Sequence, residues 1–179
     1  MNVLIRTAKP EDYDQTEAVV RAAFWDVYRP GAIEHLVLHK LREADAIVDG
    51  LDLVAWDGEM IVGVLVCPDG NVQNACGQRT PALSMMVGVL PAYHRQGIGT
   101  LLIQRAIEVA KARKYRGIVI FGDPGYYTRF GFKNAIEYGI HTSEGENLDP
   151  FMALELSPGS LSAVHGRFFE HPAFSPEVE

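Results

Sequence analysis

The chain has 179 residues, of which 16 are lysine or arginine and 23 are aspartate or glutamate, so its formal net charge is −7. This length fits one domain with a buried core, and we expect a single domain over residues 1–179. Because 47% of the residues are hydrophobic and 22% are charged, the composition excludes disordered and fibrous proteins. The negative charge gives no general attraction to nucleic acid or to an anionic membrane, so we expect neither as a partner.

Targeting signals and cysteine content indicate the cellular compartment to expect for the protein. No run approaches the roughly 18 apolar residues of a membrane-spanning helix, and the sequence does not start with a basic segment followed by an apolar block. We therefore expect a cytoplasmic protein. Cys67 and Cys76 are too few for a disulfide framework or a four-ligand zinc site, so we expect two free thiols.

The first half of the chain predicts a strand, two helices and a hairpin. The predicted elements are a strand at residues 3–5, a helix from Pro10, a helix at 33–44, and hairpin strands at 51–56 and 60–67. Pro10 is followed by two acidic residues, a pattern typical of a helix start. Asp57-Gly58 between two β-rich runs is a strong hairpin signal. We expect the polar residues 68–78 to form a connection.

The second half predicts a strand, loop, helix, strand unit. Its predicted elements are a buried strand at residues 83–90, an amphipathic helix at 98–114, strands at 117–121 and 151–156, and a tail at 158–179 that packs on the body. The unit has room for a parallel crossover, and the hairpin adds antiparallel strands. The combined pattern therefore predicts one α+β domain.

The loop before the long helix contains Gly97 and Gly99, where a buried strand turns into a helix. Backbone N–H groups are unpaired at a helix start and the helix dipole is positive there, which favours an anion such as a diphosphate. The loop lacks the Gly-Lys-Ser/Thr of a Walker motif, and Leu102 replaces the third glycine of the dinucleotide fingerprint. Spacing alone leaves two interpretations open, an anion-binding loop or a tight turn that caps the helix.

Two longer motifs resolve this choice. The run VGVLPAYHRQGIGTLL, residues 87–102, resembles the acetyl-coenzyme A signature of the GNAT N-acetyltransferase superfamily, Gln/Arg-x-x-Gly-x-Gly/Ala after a strand ending in Val-x-Pro. The run GDPGYYTRFGF, residues 122–132, is similar to the corresponding block of the YhbS-type branch, as is the closing segment from residue 151. The resemblance spans essentially the whole chain. It departs from the signature at His94, where the family has Gln or Arg.

The resemblance implies a fold and a coenzyme site. The implied fold is a mainly antiparallel central sheet with a splayed parallel strand pair, flanked by helices, and the implied cosubstrate is acetyl-CoA, with no metal. The amides expected to hold its diphosphate belong to Arg95, Gln96, Gly97, Ile98, Gly99 and Thr100, with His94 as an added side-chain contact. The backbone of Val87 and Val89 is expected to bind the pantetheine arm, and a backbone N–H near Val87 to polarise the thioester carbonyl.

The resemblance also implies one catalytic side chain. Tyr127 lies four residues before Gly131 and matches the family tyrosine that protonates the departing sulfur. The strand at 83–90 contains no Glu or Asp, so the acid that some relatives carry there is missing. Glu34, Asp123 or a chain of waters could take the proton of the amine, and no base is assigned. His35 and His39 have helical spacing but lack the His-Glu-x-x-His order of a metalloprotease.

We therefore predict transfer of an acetyl group from acetyl-CoA to a primary amine of a small molecule or protein, by direct attack on the thioester. Two alternatives stay open: a noncatalytic acyl-CoA sensor, and an enzyme with a non-amine acceptor. In the superfamily the acceptor pocket comes from early helices and late loops, here residues 24–41 and 138–150, and a homodimer is common. The negative charge favours a cationic amine.

Overall fold

The computed structural model describes residues 2–174, which contain four helices and ten strands. The helices are α1 Tyr13–Phe24, α2 Glu34–Glu43, α3 Ile98–Ala112 and α4 Pro124–Tyr127. The strands are β1 Leu4–Thr7, β2 Ile47–Trp56, β3 Ile61–Gln73, β4 Arg79–Leu83, β5 Met86–Val89, β6 Gly117–Phe121, β7 Lys133–Asn134, β8 Ile140–His141, β9 Phe151–Glu155 and β10 Gly166–Glu170. Short 3-10 turns connect several of these elements.

The strands form a mixed, mainly antiparallel sheet. The order along its main path is β1-β2-β3-β4-β6-β9-β7, while β5 and β10 pair with β3 and β8 pairs with β10. Among the described strands, the parallel pairs are β4 with β6, at Leu83 and Ile118, and β8 with β10. This open mixed sheet with flanking helices confirms the predicted fold class.

The described chain divides into two compact units. The first unit comprises residues 2–68, 86–109 and 172–174, and the second unit comprises residues 69–85 and 110–171. The expectation of one domain over residues 1–179 stays a prediction. Of the predicted tail, residues 175–179 lie outside the described residues, while Phe168 is buried in the second unit and Phe174 packs in the first.

In the first unit, helices α1 and α2 pack on one face of the β2, β3 and β5 ladder. Their apolar residues recur at helical spacing, and alternate strand residues meet them. The buried cluster contains Val19, Val20, Val37, Leu38 and Leu41 from the helices and Val54, Ile61, Val64, Val66 and Met86 from the strands. This packing fixes β5, the strand that leads into the glycine loop.

Helix α3 approaches strand β3 of the same unit closely at Gly63. A Cβ placed there would lie 3.0 Å from Leu102 Cδ1 and 3.1 Å from Ile98 Cγ2, closer than ordinary van der Waals contact. Ile98 and Leu102 are buried, so the first turn of α3 is held against the sheet. Glycine at position 63 therefore lets the start of the helix lie directly on the strand.

Two strand predictions were wrong. Residues 68–73 were expected in a connection, yet β3 continues through them because residues 70–73 pair with β4 on one edge and with β10 on the other. Hydrogen bonding on both edges thus keeps these residues in a strand despite their polar composition. The single strand expected at 83–90 is two strands, β4 and β5, separated by the buried residues Ser84 and Met85.

The second unit has its own core. It contains Val72, Ala82, Val119, Phe151, Ala153, Leu161, Val164 and Phe168, together with Ala135 and Ile140. Strands β6 and β9 lie within one residue of their predicted bounds. Gly117 of β6 faces Leu161, whose Cδ2 would lie 2.9 Å from an added Cβ, so the segment after β9 packs tightly on the start of β6.

Both thiols are free, as predicted. Cys67 is buried in β3, where burial raises the pKa of its thiol, while Cys76 is exposed. A neutral buried thiol is a poor nucleophile, which fits a packing role for Cys67. No helix within residues 2–174 is both long enough and apolar enough to cross a bilayer.

Glu170 gives the fold a measurable pH dependence. It ends β10 opposite Gly70 and is half-buried, and burial raises its pKa from 4.5 to about 7. Because the folded-state pKa lies above the unfolded value, this residue favours folding most below about pH 4.5, and its contribution falls as the pH rises through 7.

Replacing Glu170 by Gln is expected to leave the melting temperature nearly unchanged at pH 4.5 and to raise it at pH 8, because the neutral amide needs no ionisation. Thermal unfolding of both proteins at a series of pH values measures the difference. Glu144→Gln, at an exposed position, serves as the control. A difference between Glu170→Gln and wild type that stays flat from pH 4.5 to 8 would contradict the assignment.

Candidate functional site

Strand β5 carries a free edge. The Leu90 amide donates to the Val62 carbonyl at 2.9 Å, and the register continues with Gly88 opposite Val64. Because residues alternate along an antiparallel ladder, Val87 and Val89 direct their N–H and C=O groups away from β3. Within residues 2–174, β5 pairs with β3 alone. The two valines expected to bind an extended ligand thus present their backbone groups at an open edge.

The loop after β5 contains two left-handed residues just before helix α3. A 3-10 turn at Pro91–Tyr93 leads to Arg95 and Gly97, which have positive φ values of 61° and 82°. The Leu101 amide donates to the Gly97 carbonyl at 3.1 Å, which begins the hydrogen-bond ladder of α3. The amides of residues 98–100 therefore precede the ladder at the positive end of the helix dipole.

The space beside this loop is open. A Cβ added at Gly97 would meet no atom within 4 Å, and Arg95, Gln96 and Gly97 are all exposed. Alternating left-handed residues in such a turn orient successive N–H groups toward one concave surface. The geometry of residues 95–100 can therefore accept an anion with several oxygens, which is the chemistry expected from the sequence.

His94 contacts the strand edge. Its Nε2 lies 2.8 Å from the carbonyl oxygen of Val89, so Nε2 carries the proton and donates. This bond ties the loop to the end of β5 and supports its shape. The predicted contact of His94 with a phosphate stays a prediction. Nothing in the motif indicated the bond to Val89, because the signature places Gln or Arg at this position.

The sequence analysis missed a second support of the loop. The Tyr93 hydroxyl donates to Asp57 Oδ2 at 2.8 Å, although the two residues are 36 positions apart. The amides of Met60 and Glu59 lower the pKa of Asp57, and the bond from Tyr93 adds to this effect. The same bond raises the pKa of Tyr93. The Asp-Gly pair predicted the hairpin turn, but no spacing rule connects its carboxylate to a tyrosine in another loop.

Tyr127 lies in the second unit, at the end of α4. Its half-buried ring lies against Gly122, where an added Cβ would overlap Cε2 and Cδ2 of the tyrosine. It also makes edge-to-face contacts with Tyr126 and Phe132, at 5.0 and 5.5 Å between ring centroids. Glycine at position 122 therefore makes room for the phenol, and the neighbouring aromatic rings restrict its rotation.

The neighbouring Tyr126 has a different environment. The guanidinium of Arg129 stacks 4.6 Å from its ring centroid, and the Arg129 Nε donates to the Tyr126 carbonyl at 2.9 Å. The choice of Tyr127 over Tyr126 as the acid stays a prediction.

The two carboxylates considered as bases both have local structural partners. Asp123 caps α4 by accepting the Gly125 amide at 2.9 Å, and Glu34 accepts the Ile33 amide at 3.0 Å at the start of α2. These contacts explain both residues without a catalytic role. Neither is assigned as a base.

The histidines of α2 do not form a metal site. His39 Nδ1 lies 2.8 Å from Glu17 Oε1, and His39 Nε2 lies 3.3 Å from Glu43 Oε1. These two carboxylates raise the pKa of His39. The Nδ1 atom of His35 is buried without a hydrogen-bond partner, and burial, with Arg21 nearby, lowers its pKa. Within residues 2–174, no group of three His, Cys, Asp or Glu side chains is placed to hold a metal ion.

Comparison with known proteins repeatedly finds similarity to GNAT acetyltransferases. The model of the acetyltransferase (GNAT) domain matches residues 50–134. The N-acetyltransferase YhbS of Escherichia coli K12, which is itself uncharacterised, is 27% identical over 175 residues, covering 97% of this chain and 99% of YhbS.

Comparison with solved structures also finds GNAT acetyltransferases. The crystal structure of YhbS from E. coli in complex with CoA has a TM-score of 0.86 and 27% identity, covering 97% of this chain and 92% of that chain. A GNAT family acetyltransferase from Brucella melitensis in complex with acetyl-CoA has a TM-score of 0.79 and 28% identity, covering 97% and 99%. With the mixed sheet, these similarities show that the chain has the fold of the GNAT acetyltransferases and is similar to members of that superfamily over nearly its whole length.

Proposed function

We propose that this protein transfers an acetyl group from acetyl-CoA to a primary amine by direct attack of the amine on the thioester. The observation that carries the proposal is the exposed loop of residues 95–97 at the start of α3, where Gly97 leaves open space beside the amides that precede the helix ladder. It follows directly on the free edge of β5, so one continuous stretch of chain offers the two kinds of backbone group that the coenzyme needs.

The loop suits a diphosphate on three counts. Its amides precede the helix ladder, the helix dipole is positive there, and Gly97 leaves the adjacent space open. The protein's net charge of −7 gives no help with an anion, so this local device has to supply the attraction. Backbone amides hold the charge without the entropy cost of ordering long side chains.

The pantetheine arm would bind as an added strand. Val87 and Val89 point their amide and carbonyl groups away from β3, and an extended ligand with its own amides can pair with such an edge. The Val89 carbonyl already accepts from His94, which leaves one lone pair there and the groups of Val87 for the arm. A backbone N–H at Val87 would then polarise the thioester carbonyl.

Bound acetyl-CoA supplies an activated acyl carbon. The nitrogen of a neutral amine forms the new C–N bond, the C–S bond breaks, and the departing sulfur takes a proton from the phenol of Tyr127. A phenol is protonated at neutral pH and can donate its proton. With no carboxylate assigned as base, an amine that arrives as ammonium first loses a proton to water. The proton released on attack also leaves to water, and the phenolate of Tyr127 regains a proton from water. The acceptor is an unidentified small-molecule or protein amine, and the protein's negative charge favours a cationic one.

Replacing Gly97 by Ala is expected to weaken CoA binding about 10-fold or more, since the new Cβ would occupy the space proposed for the diphosphate. Gly159→Ala is the matched control, because its φ of 78° and open surroundings resemble those of Gly97, at 82°. Both variants should lose similar stability, about 1 kcal/mol, from backbone strain. Calorimetric titration with CoA and thermal unfolding measure the two effects. Equal CoA affinity in folded Gly97→Ala and wild type would refute the proposed diphosphate site.

Replacing Tyr127 by Phe is expected to lower kcat about 10-fold to 1000-fold, because the ring keeps its packing and loses the proton donor. Release of the CoA thiol, followed with acetyl-CoA and a panel of amines, measures turnover. Tyr126→Phe is the control and should change kcat little. Wild-type turnover by Tyr127→Phe would remove the acid role, and CoA binding by wild type without turnover of any amine would indicate a sensor.

A further inference from the structure

We propose that the hydrogen bond between Tyr93 and Asp57 holds the amide segment of residues 95–100 in its binding geometry, so that both residues are positioning residues for the coenzyme diphosphate. The inference rests on the proposed function, since it assigns a support to the same anion site. It adds two side chains that the family signature does not include.

The Asp57 carboxylate is fixed by its own turn. Its Oδ1 accepts the amides of Glu59 and Met60 at 3.0 and 2.9 Å, and the Asp57 amide donates to the Met60 carbonyl at 3.1 Å. Three bonds within four residues define the direction of Oδ2. The turn connects β2 and β3, two paired strands whose residues are mostly buried, so Oδ2 is attached to a hydrogen-bonded hairpin of the first unit.

Tyr93 places this anchor just before the amide segment. It ends the 3-10 turn at Pro91–Tyr93, with its amide donating to the Leu90 carbonyl at 2.8 Å, and it lies two residues before Arg95. The bond of its hydroxyl to Asp57 Oδ2 is 2.8 Å. A shift of the turn would therefore move Arg95 and the amides that follow.

The other supports of the loop are local. His94 bonds to Val89 and Gln96 bonds to Ala92, partners five and four residues away. In the described part of the chain, the bond of Tyr93 is the one side-chain hydrogen bond of residues 91–97 that reaches a distant segment. At the other end of the loop, the first turn of α3 packs against Gly63 of the same β2–β3 hairpin. The loop is thus held by the β2–β3 hairpin at both of its ends.

The charge states of the two groups also support donation from the Tyr93 hydroxyl to the Asp57 carboxylate. The bond raises the pKa of Tyr93, while the amides of Met60 and Glu59 and the phenol lower the pKa of Asp57. At neutral pH the phenol is protonated and the carboxylate is ionised, so the bond is a charge-assisted one, which is stronger than a bond between neutral groups. It can therefore restrain an otherwise exposed loop that contains two left-handed residues.

The test compares two ligands that differ in the diphosphate. Calorimetric titration with CoA, and steady-state kinetics with acetyl-CoA and with acetyl-pantetheine, are carried out on wild type, Tyr93→Phe, Asp57→Asn and the double variant. Tyr93→Phe is expected to weaken CoA binding about 5- to 20-fold, less than the full loss of a hydrogen bond to a charged group, because both side chains are partly exposed to solvent. The KM for acetyl-pantetheine, which has no diphosphate, and kcat at saturating acetyl-CoA should stay within about 2-fold of wild type.

The remaining variants separate positioning from folding. Asp57→Asn keeps an acceptor for the turn amides and a weaker partner for Tyr93, so its effect should be smaller, and it should add nothing in the Tyr93→Phe background. Tyr13→Phe, which keeps the ring beneath Arg42, controls for loss of a phenol and should bind CoA as wild type does. Wild-type CoA affinity in Tyr93→Phe, or equal losses for both ligands, would overturn the inference. Failure of wild type to bind CoA would instead overturn the proposed function.

Discussion

The close approach of helix α3 to strand β3 at Gly63 is the constraint on which the rest of the site depends. Ile98 and Leu102 occupy the space that a side chain at position 63 would fill, so the helix begins directly on the sheet. A helix start fixed in this way presents unpaired amides at a defined place, and their partial positive charge needs no basic side chain. The same hairpin holds the preceding turn through Asp57 and Tyr93. The loop is therefore held at both ends and open in the middle.

The chain order of these features matches the order in which an extended coenzyme would meet them. The free edge of β5 offers backbone groups at Val87 and Val89, and the amide segment follows within a few residues. Tyr127, the proposed acid, lies in the second unit, where Gly122 makes room for its ring. Most of the proposed machinery is backbone. In the proposed function the loop acts through its amides, so His94 at the signature position is compatible with it.

The sequence predicted those parts of the molecule that local chemistry determines. The Asp57-Gly58 hairpin, the β6 strand and the start of α3 follow from turn residues and from hydrophobic spacing over a few positions. The extension of β3 through residues 70–73 was missed because its polar composition is typical of a connection and because one of its two partners, β10, lies about a hundred residues away along the chain. For the same reason the Tyr93–Asp57 bond had no signal in the sequence. The glycine loop was found, while its supports became visible only in three dimensions.

The most direct test of the central claim is an amide-resolved NMR titration of the ¹⁵N-labelled protein with CoA. If exposed amides at the start of α3 hold the diphosphate, the N–H signals of residues 95–100 should show the largest shifts and should become protected from hydrogen exchange. Inorganic pyrophosphate should move the same signals in the same direction, with weaker affinity. Saturation with CoA that leaves the signals of these six residues unmoved and exchanging freely would contradict the account.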